Sequence, residues 1–274
     1  MQNYIDIGYL QKEKVDIPFH SHPDYEIFYF HSGRCNYLIG DRIYVLEPGD
    51  VLLMNGMTLH RPKLFEHEEY VRTTMHFDRY YVEQILHSMN RKDLLEPFTE
   101  LKSIRIHLGG HDKIKFEELL RKMNDHFHGG NSISQFRFEV QLLDLLAFLY
   151  PFCIQFLKDD PFIYSQKEHH VQRVISYIEE HYTEHLQLEH IVDELHVSKY
   201  YLANVFKEVT GITIFNYLNQ RRINQAKIEF MLEGDVSVTD LAYQLGFKYP
   251  SHFSKVFKKL TGETPEQYKK SFLN

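Results

Sequence analysis

The heptapeptide "VFKEVTG" at residues 205–211 returns almost unchanged as "VFKKLTG" at residues 256–262. The match continues past the heptapeptide, because a threonine and a tyrosine follow each copy at the same offsets: Thr213 and Tyr217 after the first, Thr264 and Tyr268 after the second. Self-similarity at a fixed spacing indicates that the chain uses one supersecondary unit twice. The architecture of this unit therefore decides the fold of the last third of the chain.

Each copy predicts two short helices joined by a tight turn. In residues 188–211 an apolar stripe is interrupted at His196 and resumes after Ser198, and in residues 238–262 the interruption falls at Gly246. Two short helices that pack through one apolar seam form a helix-turn-helix. Glycine suits a left-handed turn position, and histidine is among the residues that tolerate positive φ. Equivalent residues are offset by 50 before the turn and by 51 after it, so the second turn is predicted to be one residue longer.

The residues at the helix ends agree with this interpretation. Ser198 is placed to cap the second helix of the first unit, and Pro250 fits the first turn of the equivalent helix. Thr-Gly pairs at 210–211 and 261–262 are typical of helix C-termini, where glycine accepts a left-handed backbone. Thr264 opens the sequence Thr-Pro-Glu-Gln, which predicts a capping box at the start of a further helix.

One uninterrupted helix is predicted between the two copies, over residues 214–232, and Gly234 is expected to end it. At ~1.5 Å per residue such a helix spans roughly 28 Å. Successive major grooves on one face of DNA lie ~34 Å apart, so this helix could hold two reading units in neighbouring grooves.

Residues 171–274 resemble the DNA-binding domain of the AraC/XylS family of bacterial transcription regulators. The resemblance is carried by "GFKYPSHFSKVFKKLTGETPEQYKK" (246–270) and by "YLNQRRINQAK" (217–227). It implies a ligand-responsive regulator rather than an enzyme, and an activator by default. The partners that it implies are double-stranded promoter DNA, RNA polymerase, a second copy of the chain in a homodimer, and a small-molecule effector, a sugar or sugar derivative.

The resemblance also implies which residues face DNA. They are early, exposed residues of the two recognition helices: Lys199, Tyr200, Ala203 and Asn204 in the first, and Pro250, Ser251, His252, Lys255 and Lys258 in the second. Asn204 could bond adenine, Tyr200 could pack on thymine methyl groups, and the lysines could reach guanine or phosphate. Taken singly, each of these residues is equally consistent with a solvated surface. Phe206, Phe257 and Leu245 are predicted to be core.

Residues 4–108 favour strands. Five segments are short and rich in aromatic and β-branched residues, and turn signals separate them: 25–30, 36–40, 42–46, 50–54 and 71–77. Such strands are typical of a small barrel or sandwich. From 113 to 157 the apolar spacing becomes helical, and one stripe is either core or a face for a partner chain: Phe138, Leu142, Leu145, Leu146 and Leu149.

Metal-ligating residue types cluster early in this region. The segment "FHSHPDYEIFYFHSG" (19–33) holds His20, His22 and Glu26, and His60 follows a Pro-Gly turn. This pattern resembles the two cupin motifs, whose metal-binding members use three histidines and the glutamate as ligands. On a strand His20, His22 and Glu26 share parity, so they point to one face, which in a barrel can be the lumen.

Several interpretations of these side chains stay open. They could bind a divalent metal cofactor such as Zn, Ni, Fe or Mn, line an effector pocket without metal, or be structural histidines. A rival from another class is a metal-dependent cupin enzyme fused to a DNA-binding domain. His76 is a further candidate for the inward face, whereas His31 and His87 are expected at the surface.

The predicted fold class is two-domain α+β. We expect a cupin-like, effector-binding β-barrel over 1–110, a helical dimerisation region over 111–157 and a linker over 158–168. An all-α DNA-binding domain with two helix-turn-helix motifs is expected over 169–274.

Composition excludes several classes of protein. The formal charge of −7 argues against an indiscriminate polyanion binder, although residues 248–270 are locally basic, with six lysines against two glutamates. The most apolar stretch, 142–157, is shorter than the ~18–20 residues that span a bilayer, so no membrane span is predicted. Cys35 and Cys153 form no disulfide framework and suit a reducing compartment, which favours the cytoplasm. Neither a phosphate-binding loop nor a nucleophile elbow is found.

Overall fold

The computed structural model describes residues 4–13, 17–40, 42–101, 103–156, 166–232 and 236–271. The chain divides into two compact units. The N-terminal unit holds the strands and the first four helices, and the C-terminal unit holds the later helices. Two short segments group with the C-terminal unit, Pro18–His20 and Gly40–Ile43. The predicted linker at 158–168 lies outside the described residues except for 166–168, which begin a helix.

The strands are β1 (Ile5–Gln11), β2 (Tyr25–Gly33), β3 (Cys35–Ile39), β4 (Arg42–Leu46), β5 (Asp50–Asn55), β6 (His60–Leu64), β7 (Tyr70–Phe77) and β8 (Ser103–His107). The helices of the N-terminal unit are α1 (Arg79–Ser88), α2 (Glu96–Thr99), α3 (Gly110–Phe127) and α4 (Ser132–Phe156), with a 3-10 turn at Lys92–Leu95. The helices of the C-terminal unit are α5 (Gln166–His181), α6 (Leu188–Leu195), α7 (Lys199–Thr210), α8 (Ile214–Leu232), α9 (Val238–Gln244), α10 (Pro250–Thr261) and α11 (Pro265–Lys270).

The strands form two sheets, in the orders β1-β7-β2-β5-β8 and β4-β3-β6. The five strands predicted from the sequence are confirmed as β2, β3, β4, β5 and β7. The sixth strand contains Pro62, which is tolerated because β6 is an edge strand of the three-stranded sheet. The last strand, β8, comes after α1 and α2 and completes the five-stranded sheet by pairing with β5.

The five-stranded sheet is buried on both faces. Along β2, alternate residues such as Tyr29 pack with Phe116 of α3, and the residues between them, such as Phe28, pack with Tyr37 of the three-stranded sheet. Successive side chains of a strand point to opposite faces. Because both faces are covered, "YEIFYF" is apolar almost throughout instead of alternating.

Helix α4 presents two different apolar sets. The predicted stripe is core of the N-terminal unit, since all five of its members are at most 2% exposed. A second set points outward, with exposed fractions between 39% and 62%: Ile133, Phe136, Val140 and Ile154. The sequence therefore identified the inner face of this helix and left its outer face unnoticed. Among the described residues, no helix has the length and apolar character needed to cross a membrane.

Two helix pairs, α6–α7 and α9–α10, coincide with the two sequence copies, and we call them the first and second helix pairs. In the first pair His196 adopts the left-handed conformation (φ 55°), and the Ser198 hydroxyl accepts a hydrogen bond from the Tyr201 amide, as predicted. In the second pair Gly246 has φ 80° and Pro250 opens α10. The expected capping box at Thr264 is also present.

The repeat extends to individual contacts. The ring centroids of Phe206 and Tyr217 lie 6.1 Å apart, and those of the equivalent residues Phe257 and Tyr268 lie 5.4 Å apart. Helices α7 and α10 also each end in a left-handed glycine. The connecting helix α8 has the predicted bounds, whereas Gly234, expected to end it, lies outside the described residues.

Candidate functional site

Four side chains of the N-terminal unit converge on one carboxylate, and we call them the Glu26 cluster: Glu26, His22, His60 and His76. The Nε2 atoms of the three histidines lie 3.2, 3.4 and 3.4 Å from Glu26 Oε2. Strand pairing explains this convergence, because β2 places Glu26 directly across from His76 of β7. The sequence predicted His20, His22, Glu26 and His60 together and named His76 as a further candidate; the structure brings His22, His60 and His76 to one carboxylate oxygen of Glu26.

The side chains of the cluster range from fully buried to partly exposed. Glu26 is 3% exposed and the side chain of His60 is fully buried, whereas that of His76 is 34% exposed. Burial alone would raise the pKa of Glu26, but hydrogen bonds from the three imidazoles hold this pKa well below its usual range. Burial lowers the pKa of His76, but the Glu26 carboxylate outweighs it and the net shift is upward. The site is therefore an anionic centre surrounded by imidazole groups.

The donor set fits a divalent ion. One ligand atom from each of His22, Glu26 and His76 lies within 4.8 Å of the others, and His60 approaches the same carboxylate oxygen. Imidazole nitrogens with one carboxylate oxygen suit Zn, Ni, Fe or Mn. The fourth predicted ligand, His20, lies in the segment Pro18–His20 that groups with the other unit, and its Nδ1 is 3.0 Å from the carbonyl oxygen of Pro18.

Aromatic side chains fill the space between the two sheets. Phe28, Phe30, Tyr37 and Tyr44 are each at most 3% exposed and pack with Leu52 and Met54. The hydroxyl of Tyr70 is buried in the same region and has no hydrogen-bond partner among the described residues. These rings are therefore core, packed against one another instead of displaying their faces.

His31 is a correction to the sequence analysis, which placed it at the surface. It is half-buried on β2, its Nε2 lies 2.8 Å from the hydroxyl of Thr73, and its ring packs edge-on against Tyr29. Burial lowers the pKa of His31 to about 4. The sequence concealed this because His31 follows the apolar run of β2 directly, in phase with Tyr25 and Tyr29. His87 is exposed, as expected.

The predicted DNA-contacting residues of the first helix pair lie on exposed parts of α7. Tyr200 is 80% exposed, and Ala203 and Asn204 are exposed one turn later. Lys199 is also exposed, but its ammonium group is paired with the carboxylate of Glu189 on α6 at 2.5 Å. Phe206, predicted as core, is fully buried.

The second helix pair presents its predicted residues in the same way. Ser251, His252, Lys255 and Lys258 are exposed along α10, Pro250 is half-buried, and the predicted core residues Phe257 and Leu245 are at most 3% exposed. Just before α10 the structure adds a large exposed side chain that the sequence analysis missed.

That residue is Tyr249, which is 58% exposed immediately before α10, with the Lys248 ammonium 5.4 Å from its ring centroid. It occupies the N-cap position without a side-chain cap, whereas Ser198 caps the equivalent helix. The offset of 51 aligns Tyr249 with Ser198, so an aromatic residue where a cap is expected was the available signal.

Comparison with known proteins gives one family match in each unit. Residues 5–108 match the family described as AraC-like ligand binding domain. Residues 191–271 match a family described as helix-turn-helix domain, which covers most of both helix pairs.

Relatives and a solved structure match over part of the chain. AdaA of Bacillus subtilis, a bifunctional transcriptional activator and DNA repair enzyme, is 33% identical over 99 residues, which are 36% of this chain and 46% of AdaA. An HTH-type transcriptional regulator in the cgkA 5' region of Pseudoalteromonas carrageenovora is 38% identical over 102 residues, 37% of this chain and 60% of that protein. The C-terminal domain of AraT, a response regulator from Geobacillus stearothermophilus, is 30% identical, with 39% of this chain and 88% of that chain covered and a TM-score of 0.37.

This chain thus spans about half the length of the relatives that it matches. Its two units carry, in order, an AraC-like ligand-binding domain and a helix-turn-helix domain. The chain belongs to the AraC family of transcription regulators.

Proposed function

We propose that the chain is a ligand-responsive transcription regulator that binds double-stranded promoter DNA through both helix pairs. The observation that carries this proposal is the presence of the same unit at each end of α8, repeated down to the contacts of Phe206 with Tyr217 and of Phe257 with Tyr268. One recognition helix reads only a few base pairs, so two units in fixed register would read a longer site. Family membership favours an activator that works with RNA polymerase in the cytoplasm.

On this proposal α7 and α10 are the recognition helices. Asn204 reads adenine, and Tyr200 packs on thymine methyl groups in the first half-site. Lys255 and Lys258 serve the second half-site, where a lysine can reach guanine or phosphate. All four side chains are exposed, which leaves them accessible to a DNA groove.

The Glu26 cluster is the proposed effector site. Its imidazole and carboxylate groups offer both donors and acceptors, which suits the hydroxyl groups of a sugar or sugar derivative. The same groups support a second candidate, a metal-dependent cupin enzyme fused to a DNA-binding domain, because the donor set fits a divalent ion. If His76→Ala abolishes effector binding while the variant still folds in the absence of metal, the effector binds at this cluster.

Dimerisation is proposed to use the outer face of α4. Apolar residues recur along this side of α4 at alternating spacings of three and four, as in a coiled-coil seam. Ile133, Phe136, Val140 and Ala147 are exposed, and Leu143 is partly buried against the core of the unit. Exposed charges of opposite sign, Arg137 and Asp144, flank this seam seven residues apart. Two antiparallel copies of α4 would bring Arg137 beside the partner's Asp144, so the face is complementary to itself.

The decisive experiment is enrichment of sites from a random 40-base-pair duplex library by the full-length protein. We expect an enriched sequence with two conserved blocks, one for each helix pair. Asn204→Ala should relax base preference at one position of the first block, whereas Lys258→Ala should weaken binding to all sequences and reduce its salt dependence. Failure of the wild-type chain to enrich any sequence would refute the proposal.

A further inference from the structure

Arg222 is a buried arginine in the middle of α8, the helix that connects the two helix pairs. It is 7% exposed, and its guanidinium donates to two main-chain carbonyl oxygens in the segment that follows α5: Nε to Tyr182 at 2.6 Å and Nη2 to Glu184 at 2.7 Å. Burial lowers the pKa of Arg222 to about 10, so the guanidinium stays charged at neutral pH. Charge-assisted bonds of this length are the strong kind.

The same guanidinium contacts the turn of the second helix pair. Its Cζ lies 5.2 Å from the ring centroid of Phe247. This turn lies very close to Arg222 and to the segment after α5. A Cβ at Gly246 would lie 2.7 Å from Arg222 Nη2 and 2.6 Å from the carbonyl oxygen of Thr183. Glycine is therefore required there both for its positive φ and for the space that Arg222 occupies.

Arg222 thereby joins parts of the unit that are distant in sequence. Helix α5 packs against both helices of the first pair. The segment after α5 is held by Arg222, and Arg222 in turn lies against the turn of the second pair. A continuous chain of contacts runs from the first helix pair through α5 and Arg222 to the second.

We propose that Arg222 is a positioning residue that fixes the second helix pair relative to the first and so sets the half-site spacing that the protein accepts. This inference rests on the proposed function, because it requires both helix pairs to bind DNA. One base pair of added spacing rotates a half-site by about 34° and moves it by about 3.4 Å, so a rigidly held second pair would lose its contacts.

We expect the second helix pair to stay folded when this side chain is removed. Phe230 of α8 still packs with Phe257, Phe253 and Tyr268 in the apolar cluster beneath α10. Arg222→Met keeps much of the side-chain volume but cannot donate to the two carbonyl groups. Its effect should therefore fall on the orientation of the turn, while α9 and α10 remain formed.

The neighbouring residue offers a matched control. Arg221 also ties α8 to this part of the chain, through a 2.6 Å ion pair with Glu179 of α5 and a stacking contact with Tyr182, the residue just after α5. Neither contact involves Gly246 or Phe247. Arg221→Met therefore removes an arginine tie between α8 and the α5 region and leaves the contact of Arg222 with the second pair in place.

The test uses the full-length protein and the sequence that the wild type enriches from the random library. Binding is measured to duplexes in which the spacing between the two conserved blocks is increased or decreased by one or two base pairs. We expect the wild type and Arg221→Met to lose at least roughly 10-fold in affinity for the altered spacings. Arg222→Met should bind all spacings within about 3-fold of one another, and Arg222→Lys should recover part of the discrimination.

The outcomes separate the inference from the proposed function. A wild-type chain that enriches nothing, or only one block, refutes the proposed function and the inference with it. Two enriched blocks with full spacing discrimination retained in Arg222→Met refute the inference alone, as does equal relaxation by Arg221→Met. Should Arg222→Met fail to fold by circular dichroism, the partial relaxation expected of Arg222→Lys decides the question.

Discussion

The ammonium nitrogen of Lys199 lies 2.5 Å from a carboxylate oxygen of Glu189, so a lysine proposed to contact DNA is held by the preceding helix. Both side chains are more than half exposed, and pairs of this kind are weak in water. On the proposed function, Glu189 competes with DNA for Lys199 and also places a negative charge beside α7. Binding of Lys199 to DNA would then have to break this pair or screen it.

We expect Glu189→Gln to tighten binding to the enriched duplex by roughly 2- to 5-fold at low salt, because Lys199 is released. The gain should vanish at high salt, where exposed charges are screened. Fluorescence anisotropy measures both effects. The matched control is Glu208→Gln. Glu208 lies at the other end of α7 and pairs with Lys167 of α5 at an exposed site, so this change should leave the affinity for DNA unchanged. Weaker binding of Glu189→Gln would instead show that Glu189 orients Lys199 for DNA.

Tyr249→Ser should change stability and DNA binding in opposite directions. A serine at this N-cap can accept from the first amides of α10, so the C-terminal unit should gain ~1 kcal/mol and melt a few degrees higher. Loss of the exposed ring should weaken binding to the enriched duplex by about 10-fold. Calorimetry measures the change in stability, and fluorescence anisotropy measures the change in affinity for the duplex. The control is Tyr80→Ser, which removes another exposed tyrosine, in α1. Unchanged affinity would exclude Tyr249 from the DNA interface.

The Glu26 cluster should hold about one divalent ion per chain in protein purified from metal-supplemented medium, because its donors suit such an ion. Glu26→Ala and His76→Ala should each lower the bound metal, measured by elemental analysis. Melting of the C-terminal unit should stay unchanged. Wild-type protein without stoichiometric metal would remove the enzyme alternative and leave the polar effector site.

His31 makes the N-terminal unit sensitive to acid. Its pKa in the folded chain, about 4, lies below the ordinary value near 6.5, so between these values the unfolded chain binds more protons. Stability contributed by neutral His31 is therefore present above pH ~6.5 and is lost as the pH falls toward ~4. His31→Gln cannot be protonated and should flatten this part of the profile in urea unfolding at pH 7 and 4.5. His87→Gln, at an exposed site of α1, is the control, and an unchanged slope for His31→Gln would contradict the assignment.

Val140→Glu should convert the proposed dimer to a monomer, because it puts a charge in the middle of the outer α4 seam. Sedimentation velocity at micromolar concentration checks this. Ile114→Glu is the matched control, since Ile114 is 58% exposed on α3 and lies off the seam. Equal molecular masses for wild type and Val140→Glu would exclude this face as the interface.

Local sequence signals predicted much of the C-terminal unit. Each helix end there depends on residues within a few positions, as with Ser198, Gly246 and the Thr264 capping box, and local chemistry of this kind is readable without coordinates. The bounds of α8 followed from an unbroken helical stretch. The apolar core of each pair followed from its periodicity.

Pairing between distant segments was harder to predict. The order β1-β7-β2-β5-β8 follows no sequence proximity, so nothing local showed that His76 stands across from Glu26. Arg222 lay inside the quoted motif of the linker helix, but its partners at Tyr182 and Gly246 are 40 and 24 residues away. Burial of His31 depended on α3 covering the outer face of the sheet. Each of these three features depends on a long-range contact, whose register no short window specifies.

The rings of Phe28 and Tyr37, packed at 4.9 Å between the two sheets, bear on how fast such a sensor can respond. An effector that enters this space must wait for the side chains to part, so its observed association rate would level off at high concentration instead of rising in proportion. The opening rate of the protein, and not the diffusion of the effector, would then set the delay before transcription changes. A regulator with this arrangement would respond to a sustained signal more than to a brief pulse.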